Sequence, residues 1–133
     1  MIVIDASVAA KWILEHEQDT DKALIILKNH TFSIEEIIVP DLFFYEIANT
    51  LATKSGMTSK EVIVALGKVY QSNLSVYHPL EVDVSQTTKL AKEYKTSVYD
   101  MLYAVVAKTH KATLITADKQ FVKQTGFKFV KLL

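Results

Sequence analysis

The chain has 133 residues, half of them hydrophobic, with 15 lysines balancing 15 aspartates and glutamates and no arginine or cysteine. That size and apolar content suit a single folded domain over 1–133, and the lack of cysteine excludes disulfides, thiolate metal sites and thiol catalysis. The zero net charge hides an asymmetry, because nine acids face three lysines up to residue 50 whereas three acids face nine lysines from residue 84 onward; the basic half is compatible with a phosphate backbone or with a plain solvated surface.

The first element is Ile2-Val3-Ile4, an apolar run meeting Asp5-Ala6-Ser7 as a buried parallel strand meets a helix. Val8, Ala9, Trp12 and Ile13 then recur at helical spacing, and a second helix is expected from Thr20 to Lys28 with Ala23, Leu24 and Leu27 on one face. Glu36-Ile37-Ile38-Val39 reads as a strand ended by Pro40, which lacks a backbone donor. Asp41 starts a helix whose Leu42, Tyr45, Asn49 and Ala52 fall on one stripe, stopped at Ser55-Gly56. Thr58-Ser59-Lys60-Glu61 fits a capping box for a helix running to about Gln71.

Ser75 to Pro79 is the next strand, and Asp83-Val84-Ser85-Gln86 a second capping box, opening a helix with Leu90, Ala91 and Tyr94. Ser97 to Thr109 is helical and strongly apolar. Ala112 to Thr116 is a strand, Asp118 to Gln124 a short helix, and Phe127 to Leu132 a last strand. Strands alternating with helices indicate an α/β fold with a largely parallel sheet, whose ligands bind beyond the carboxyl ends of the strands. No basic leader precedes the first strand, and no apolar run approaches the roughly 20 residues of a membrane span. A cytoplasmic protein with no membrane attachment is expected.

Asp5, Glu46, Asp100 and Asp118 are the acids whose surroundings stand out. Each has a local explanation. Asp5 and Asp118 can be helix N-caps, Ser97 and Asp100 can form a capping box, and Glu46 can be a solvated helical residue. Against this, Asp5 ends a continuous apolar strand, and Glu46 lies among Phe43, Phe44, Tyr45, Ile47 and Ala48. Asp100 is the lone charge between Ser97 and Ala107, and a carboxylate in so apolar a helix requires a partner, either a divalent cation or a lysine. Oxygen-only ligands suit Mg²⁺ or Mn²⁺ rather than zinc.

Rival chemistries lack their residues. His16, His30, His78 and His110 are scattered without ligand spacing and read as surface or loop imidazoles. Ser7 has no nucleophile-elbow glycines, and glycine at 56, 67 and 126 alone allows neither a P-loop nor a dinucleotide fingerprint. Without arginine, bidentate recognition of base edges is absent, which argues against finely read duplex DNA.

Four segments in order carry a family likeness: Ile2-Val3-Ile4-Asp5-Ala6-Ser7, Val39-Pro40-Asp41 through Glu46-Ile47-Ala48-Asn49, Tyr99-Asp100-Met101-Leu102-Tyr103-Ala104, and Leu114-Ile115-Thr116-Ala117-Asp118. In length and element order the whole chain resembles PIN-domain nucleases, and among them the VapC-like toxins of toxin–antitoxin pairs. The resemblance implies a three-layer α/β/α fold around a five-stranded parallel sheet. It implies Asp5, Glu46, Asp100 and Asp118 as catalytic residues holding one or two Mg²⁺ or Mn²⁺ ions, with Ser7 and Thr116 as supporting hydroxyls and Asn49 one helical turn past the Glu. The implied activity is endonucleolytic cleavage of single-stranded or looped RNA, in a homodimer restrained by a small antitoxin. A housekeeping RNA-processing nuclease and a PIN module that binds RNA or protein without cutting are the alternatives. Tyr45 is expected beneath its helix, with stacking on a base as the other reading.

Overall fold

The computed structural model describes residues 1–14 and 17–133. Its strands are β1 (Ile2–Ile4), β2 (Ile37–Pro40), β3 (Ser75–Tyr77), β4 (Thr113–Thr116) and β5 (Val130–Leu132). Its helices are α1 (Ala6–Ala10), α2 (Thr20–Thr31), α3 (Leu42–Lys54), α4 (Ser59–Gln71), α5 (Glu81–Tyr94), α6 (Val98–Thr109) and α7 (Lys119–Thr125). The strands form one all-parallel sheet in the order β3-β2-β1-β4-β5, with Ile2 level with Ile37 and Thr113, and Ile4 level with Ile115. Helices cover both faces, giving the expected three-layer α/β/α arrangement. No described helix is long and apolar enough to cross a membrane.

This strand order sets the position of the crevice. From β1 the chain steps outward through β2 to β3, then returns to β4 on the other side of β1. Right-handed crossovers therefore place α1–α4 on one face and α5–α7 on the other. The packing of α1 on α3, α3 on α4, and α5 on α6 agrees. Connections leaving β1 and β4 diverge, and a crevice opens over the carboxyl ends of these two neighbours.

The core is built from short apolar strands and small helical residues. Val3 and Ile4 are fully buried, as are Ile37 and Val39, which is why β1 and β2 read as continuous apolar runs. Ala6, Val8, Ala9 and Ala10 are all buried, so their small size brings α1 close against the sheet. On α6, Met101, Tyr103, Ala104, Val105, Val106 and Ala107 are buried.

Several elements differ from their sequence patterns. Helix α1 stops at Ala10, and Trp12 and Ile13 continue in turns whose N–H groups bond back to Ala9 and Ala10. The Trp12 indole N–H donates to the Ala23 carbonyl at 2.9 Å, tying this turn to α2. On α2 Ala23 alone is fully buried, and Leu24 is exposed. The inward stripe of α3 is Phe43, Ile47 and Leu51 rather than Leu42, Tyr45, Asn49 and Ala52. Tyr45 is 74% exposed and not beneath the helix, while Phe44 stacks on Tyr70 with ring centroids 4.3 Å apart.

Helix α5 begins two residues ahead of Asp83, which is not its N-cap. Instead the Asp83 carboxylate is buried, accepting the Leu80 N–H at 2.8 Å and the Tyr77 hydroxyl at 2.7 Å. The Thr58–Glu61 capping box on α4 is present with both arms formed. β5 is confined to Val130–Leu132, because the chain turns just before it, with the Val130 N–H donating to the Phe127 carbonyl at 3.0 Å.

Candidate active site

The crevice at the carboxyl ends of β1 and β4 is a cavity of about 510 Å³, and Asp5, Glu46, Asp100 and Asp118 all line it. Each acid comes from a different part of the chain. Asp5 follows β1, Glu46 lies in the second turn of α3, Asp100 in the first turn of α6, and Asp118 immediately precedes α7. Ser7 and Asn49 line the same cavity. Thr116 lies beneath it, 1% exposed.

The local explanations of the acids hold alongside this convergence. The Asp5 carboxylate caps α1 by accepting the Val8 N–H at 3.2 Å. Asp118 caps α7 by accepting the Phe121 N–H at 2.9 Å. Ser97 Oγ accepts the Asp100 N–H at 3.0 Å, and its hydroxyl donates to Asp100 Oδ2 at 2.7 Å. An acid at a helix N-terminus is favoured by the backbone dipole, so the bonds that start three helices also hold three carboxylates at the cavity. The argument from an apolar helix fails for Asp100, however. That residue is exposed at the start of α6, and the buried stretch begins at Met101.

Two hydroxyls knit the ends of β1 and β4 together. Thr116 Oγ1 donates to Asp5 Oδ2 at 2.5 Å and accepts the Asp118 N–H at 2.9 Å. Ser7 Oγ donates to Asp5 Oδ1 at 2.5 Å and accepts the Ala117 N–H at 3.0 Å. Each hydroxyl therefore has a backbone donor on one side that leaves its proton aimed at Asp5, and both oxygens of that carboxylate are oriented.

Glu46 is held by a residue that the sequence reading quoted but gave no role. Tyr103, fully buried in α6, donates its hydroxyl to Glu46 Oε2 in a very short bond. Its helical position, one turn past Asp100, is the signal that would have identified it. Lys11, Glu17, Thr50 and Lys54 also line the cavity and were likewise unassigned. On α3 the cavity face is the polar stripe Glu46, Asn49, Thr50 and Lys54, which runs beside the buried Phe43, Ile47 and Leu51. That is why an aromatic-rich segment tolerates a glutamate.

The electrostatics are those of crowded acids. Burial pushes the Asp5 carboxyl above its ordinary range; the Ser7, Thr116 and Val8 bonds pull it back, and the Asp100 charge pushes it up. Glu46 is raised by burial, lowered by the Tyr103 hydroxyl, and raised again by Asp100 and Asp5. The Tyr103 hydroxyl is pushed far up by burial and by Glu46, so it stays a proton donor. Among the described residues the lysine ion pairs are Lys11–Glu17 and Lys22–Asp19, so the lysine considered as a partner for Asp100 is not paired with it.

The donor set is chemically suited to a hard divalent cation, because the four carboxylates have no imidazole, thiolate or thioether among the lining residues named with them. A cation would also offset the repulsion that raises Asp5 and Glu46. The side chains nevertheless do not close into a ready-made cluster: among the described residues no three acids or imidazoles stand together as a metal-holding group. Both Asp5 oxygens are turned to the Ser7 and Thr116 hydroxyls.

His30, His78 and His110 are not among the residues that line the cavity. His78 faces Asp41 at 3.2 Å, and His110 pairs with the Val106 carbonyl and packs edge-on against Tyr77. His30 is not a free surface imidazole, because it bridges the Ile37 N–H and the Ser72 and Asn73 carbonyls. His16 lies outside the described residues.

A family model for the PIN domain matches residues 2–126. No curated protein sequence matches the chain significantly. Among solved structures, the fold is similar to PAE2754 from Pyrobaculum aerophilum, with 21% identity and a TM-score of 0.74 over 98% of this chain and 89% of that one. It is also similar to VapC20 from Mycobacterium tuberculosis, described as a sarcin-ricin loop cleaving toxin, at 15% identity and a TM-score of 0.72 over 98% and 99% of the two chains. A chain of a toxin–antitoxin complex from Klebsiella pneumoniae matches at 13% identity and a TM-score of 0.69, over 98% and 96%.

Proposed function

This chain belongs to the PIN domain family, and from that premise we propose that it is a metal-dependent endoribonuclease, cutting single-stranded or looped RNA as the toxin of a VapBC-type pair. The observation that carries the reading is the meeting of Asp5, Glu46, Asp100 and Asp118 in one cavity at the switch point of the sheet. Capping accounts for Asp5, Asp100 and Asp118 at their helix starts, but not for their sharing one cavity with Glu46, where burial and acidic neighbours raise both Asp5 and Glu46.

Asp5, Glu46, Asp100 and Asp118 would hold Mg²⁺ or Mn²⁺. When bound, the ion supplies activation of water and neutralisation of charge on the phosphoryl group. The protein's own groups do the positioning. Ser7 and Thr116 fix both oxygens of Asp5, Tyr103 fixes Glu46, and Ser97 fixes Asp100. Asn49, with its side chain facing the cavity, is a neutral donor for a substrate hydroxyl or phosphate oxygen.

The toxin assignment draws on likeness to VapC20 and to the Klebsiella complex. With it come a cytoplasmic homodimer and a small antitoxin whose basic side chain enters the acidic cavity and pairs with its carboxylates. A PIN module that binds without cutting is the second reading, favoured by the absence of a closed three-ligand group among the described residues.

One experiment separates them. Purified protein is incubated with single-stranded RNA plus Mg²⁺, Mn²⁺ or EDTA, beside Asp100→Asn, which keeps the Ser97 cap on its N–H and therefore its fold. Cleavage with either metal, lost in EDTA and in Asp100→Asn, is the expected result. Full cleavage in EDTA, or by Asp100→Asn, overturns the metal–carboxylate mechanism, and no cleavage under any condition favours the binding module. Growth arrest on expression, relieved by a co-expressed antitoxin, tests the toxin role.

A further inference from the structure

Opposite its acids, the same cavity has a basic end. Lys11, just past α1, and Lys54, in the last turn of α3, both line it. Lys54 is exposed, but Lys11 is only 8% exposed. Among the described residues the polar partner of the Lys11 ammonium is Glu17 Oε2, at 3.4 Å.

This is weak compensation for sequestering a charge. An ammonium carries three N–H donors, and charge-assisted bonds to oxygen are typically about 2.7–2.9 Å. Glu17 is half exposed and free to turn toward water. Burying a lysine is costly unless it is paired. Among the described residues the ion pair of Lys11 is with Glu17 and not with any of the four acids. Among the described residues, a largely buried cation held by one long ion pair thus lines the same cavity as the four acids.

We propose that Lys11 is a binding residue for the nucleic-acid backbone, its Nζ taking a non-bridging oxygen of the phosphate next to the one at the carboxylates, with Glu17 as the resting partner that this phosphate displaces. The inference rests on the nuclease reading of the same cavity. It gives the cavity a polarity: the scissile phosphate lies at the acidic end and its neighbour at the Lys11 end. It also supplies the anion contact that a chain without arginine must make with lysine.

The test compares the parent with Lys11→Met, Lys11→Arg and Glu17→Gln. Cleavage of a single-stranded RNA is measured with Mg²⁺, and binding of a 2′-O-methyl, uncleavable copy by fluorescence anisotropy, both across a salt series. Losing one charge-assisted bond should raise KM and Kd for Lys11→Met roughly tenfold, with kcat within about twofold. Its log Kd against log salt should lose about 0.7 of slope, the share of one phosphate contact on a single strand. Lys11→Arg should restore most of the binding, and Glu17→Gln should tighten it, because the competing carboxylate is gone. A purely structural Lys11–Glu17 pair would instead lower Tm in both Lys11→Met and Glu17→Gln and leave Kd and slope unmoved, which overturns the proposal. Unchanged RNA binding by a stable Lys11→Met, as when Lys11 serves a protein partner's carboxylate, overturns it too. Should the parent bind RNA yet never cut it, the nuclease reading falls, and the anisotropy arm still decides whether Lys11 holds the backbone.

Discussion

Replacing Tyr103 by Phe removes one oxygen from a fully buried ring, and that oxygen donates to Glu46. A hydrogen bond to a charged acceptor contributes about 1.5–3 kcal/mol. Glu46 keeps one side open to the cavity, so water replaces part of the lost bond and the lower figure, about 1.5 kcal/mol, applies. At about 2.1 cal/mol/K of unfolding entropy per residue, a chain of 133 residues should lose roughly 5 °C in Tm. The hydroxyl is also what pulls Glu46 down against burial and its acidic neighbours, so Tyr103→Phe raises that carboxyl further.

Two pH effects follow from the sign. A carboxyl raised in the folded state contributes stability that is complete below its ordinary pKa, about 4.3, and lost as pH rises through the folded value. The Tm deficit of Tyr103→Phe should therefore widen from mildly acid to neutral pH. The acid limb of the kcat profile, where Glu46 must be ionised, should move to higher pH. Calorimetry without divalent ions and cleavage across pH measure both. A variant that melts within a degree of the parent at every pH, with an unmoved acid limb, refutes the role given to the Tyr103–Glu46 bond. A double-mutant cycle with Glu46→Gln should show the deficit shrinking when the acceptor loses its charge.

Asp5→Asn removes a carboxylate raised by burial and by Asp100, so without metal its stability relative to the parent should climb as pH rises through the raised value; melts along a pH series that show a flat or falling difference contradict this. His30 must accept at Nδ1 from the Ile37 N–H and donate at Nε2 to the Ser72 and Asn73 carbonyls. It is thus the neutral Nε2–H tautomer, visible in ¹⁵N NMR, and His30→Ala should cost about 1–3 kcal/mol with kcat unchanged. Among the described residues the buried Thr87 Oγ1 has no partner, so Thr87→Val should raise Tm by about 4 °C, the return from removing roughly 1 kcal/mol of unmet polar burial; a fall in Tm would mean the hydroxyl is satisfied in solution.

The order and kind of the elements were legible in the sequence because burial acts locally. Ile2-Val3-Ile4 and Ile37-Ile38-Val39 lie between helical layers and so are apolar throughout, while Thr58 and Glu61 cap α4 through bonds spanning three residues. The four acids could be singled out for a related reason, as charges in segments otherwise shaped for burial. What misled was the assumption that an apolar segment surrounds every residue in it. Asp100 is exposed at the mouth of α6, and Tyr45 points to water although Phe43 and Ile47 do not, because a helix has a face and a composition does not. Which groups meet, and at what distance, was decided by tertiary structure alone. β4 lies beside β1 only because the chain reverses direction after β3, and that reversal brings Thr116 to Asp5 and Ala117 to Ser7 across more than a hundred residues. The Tyr103–Glu46 bond and the placing of Lys11 opposite the acids arise in the same way. Their partners are set by the docking of whole layers, a sum of many burial contributions, and no short stretch of sequence records it.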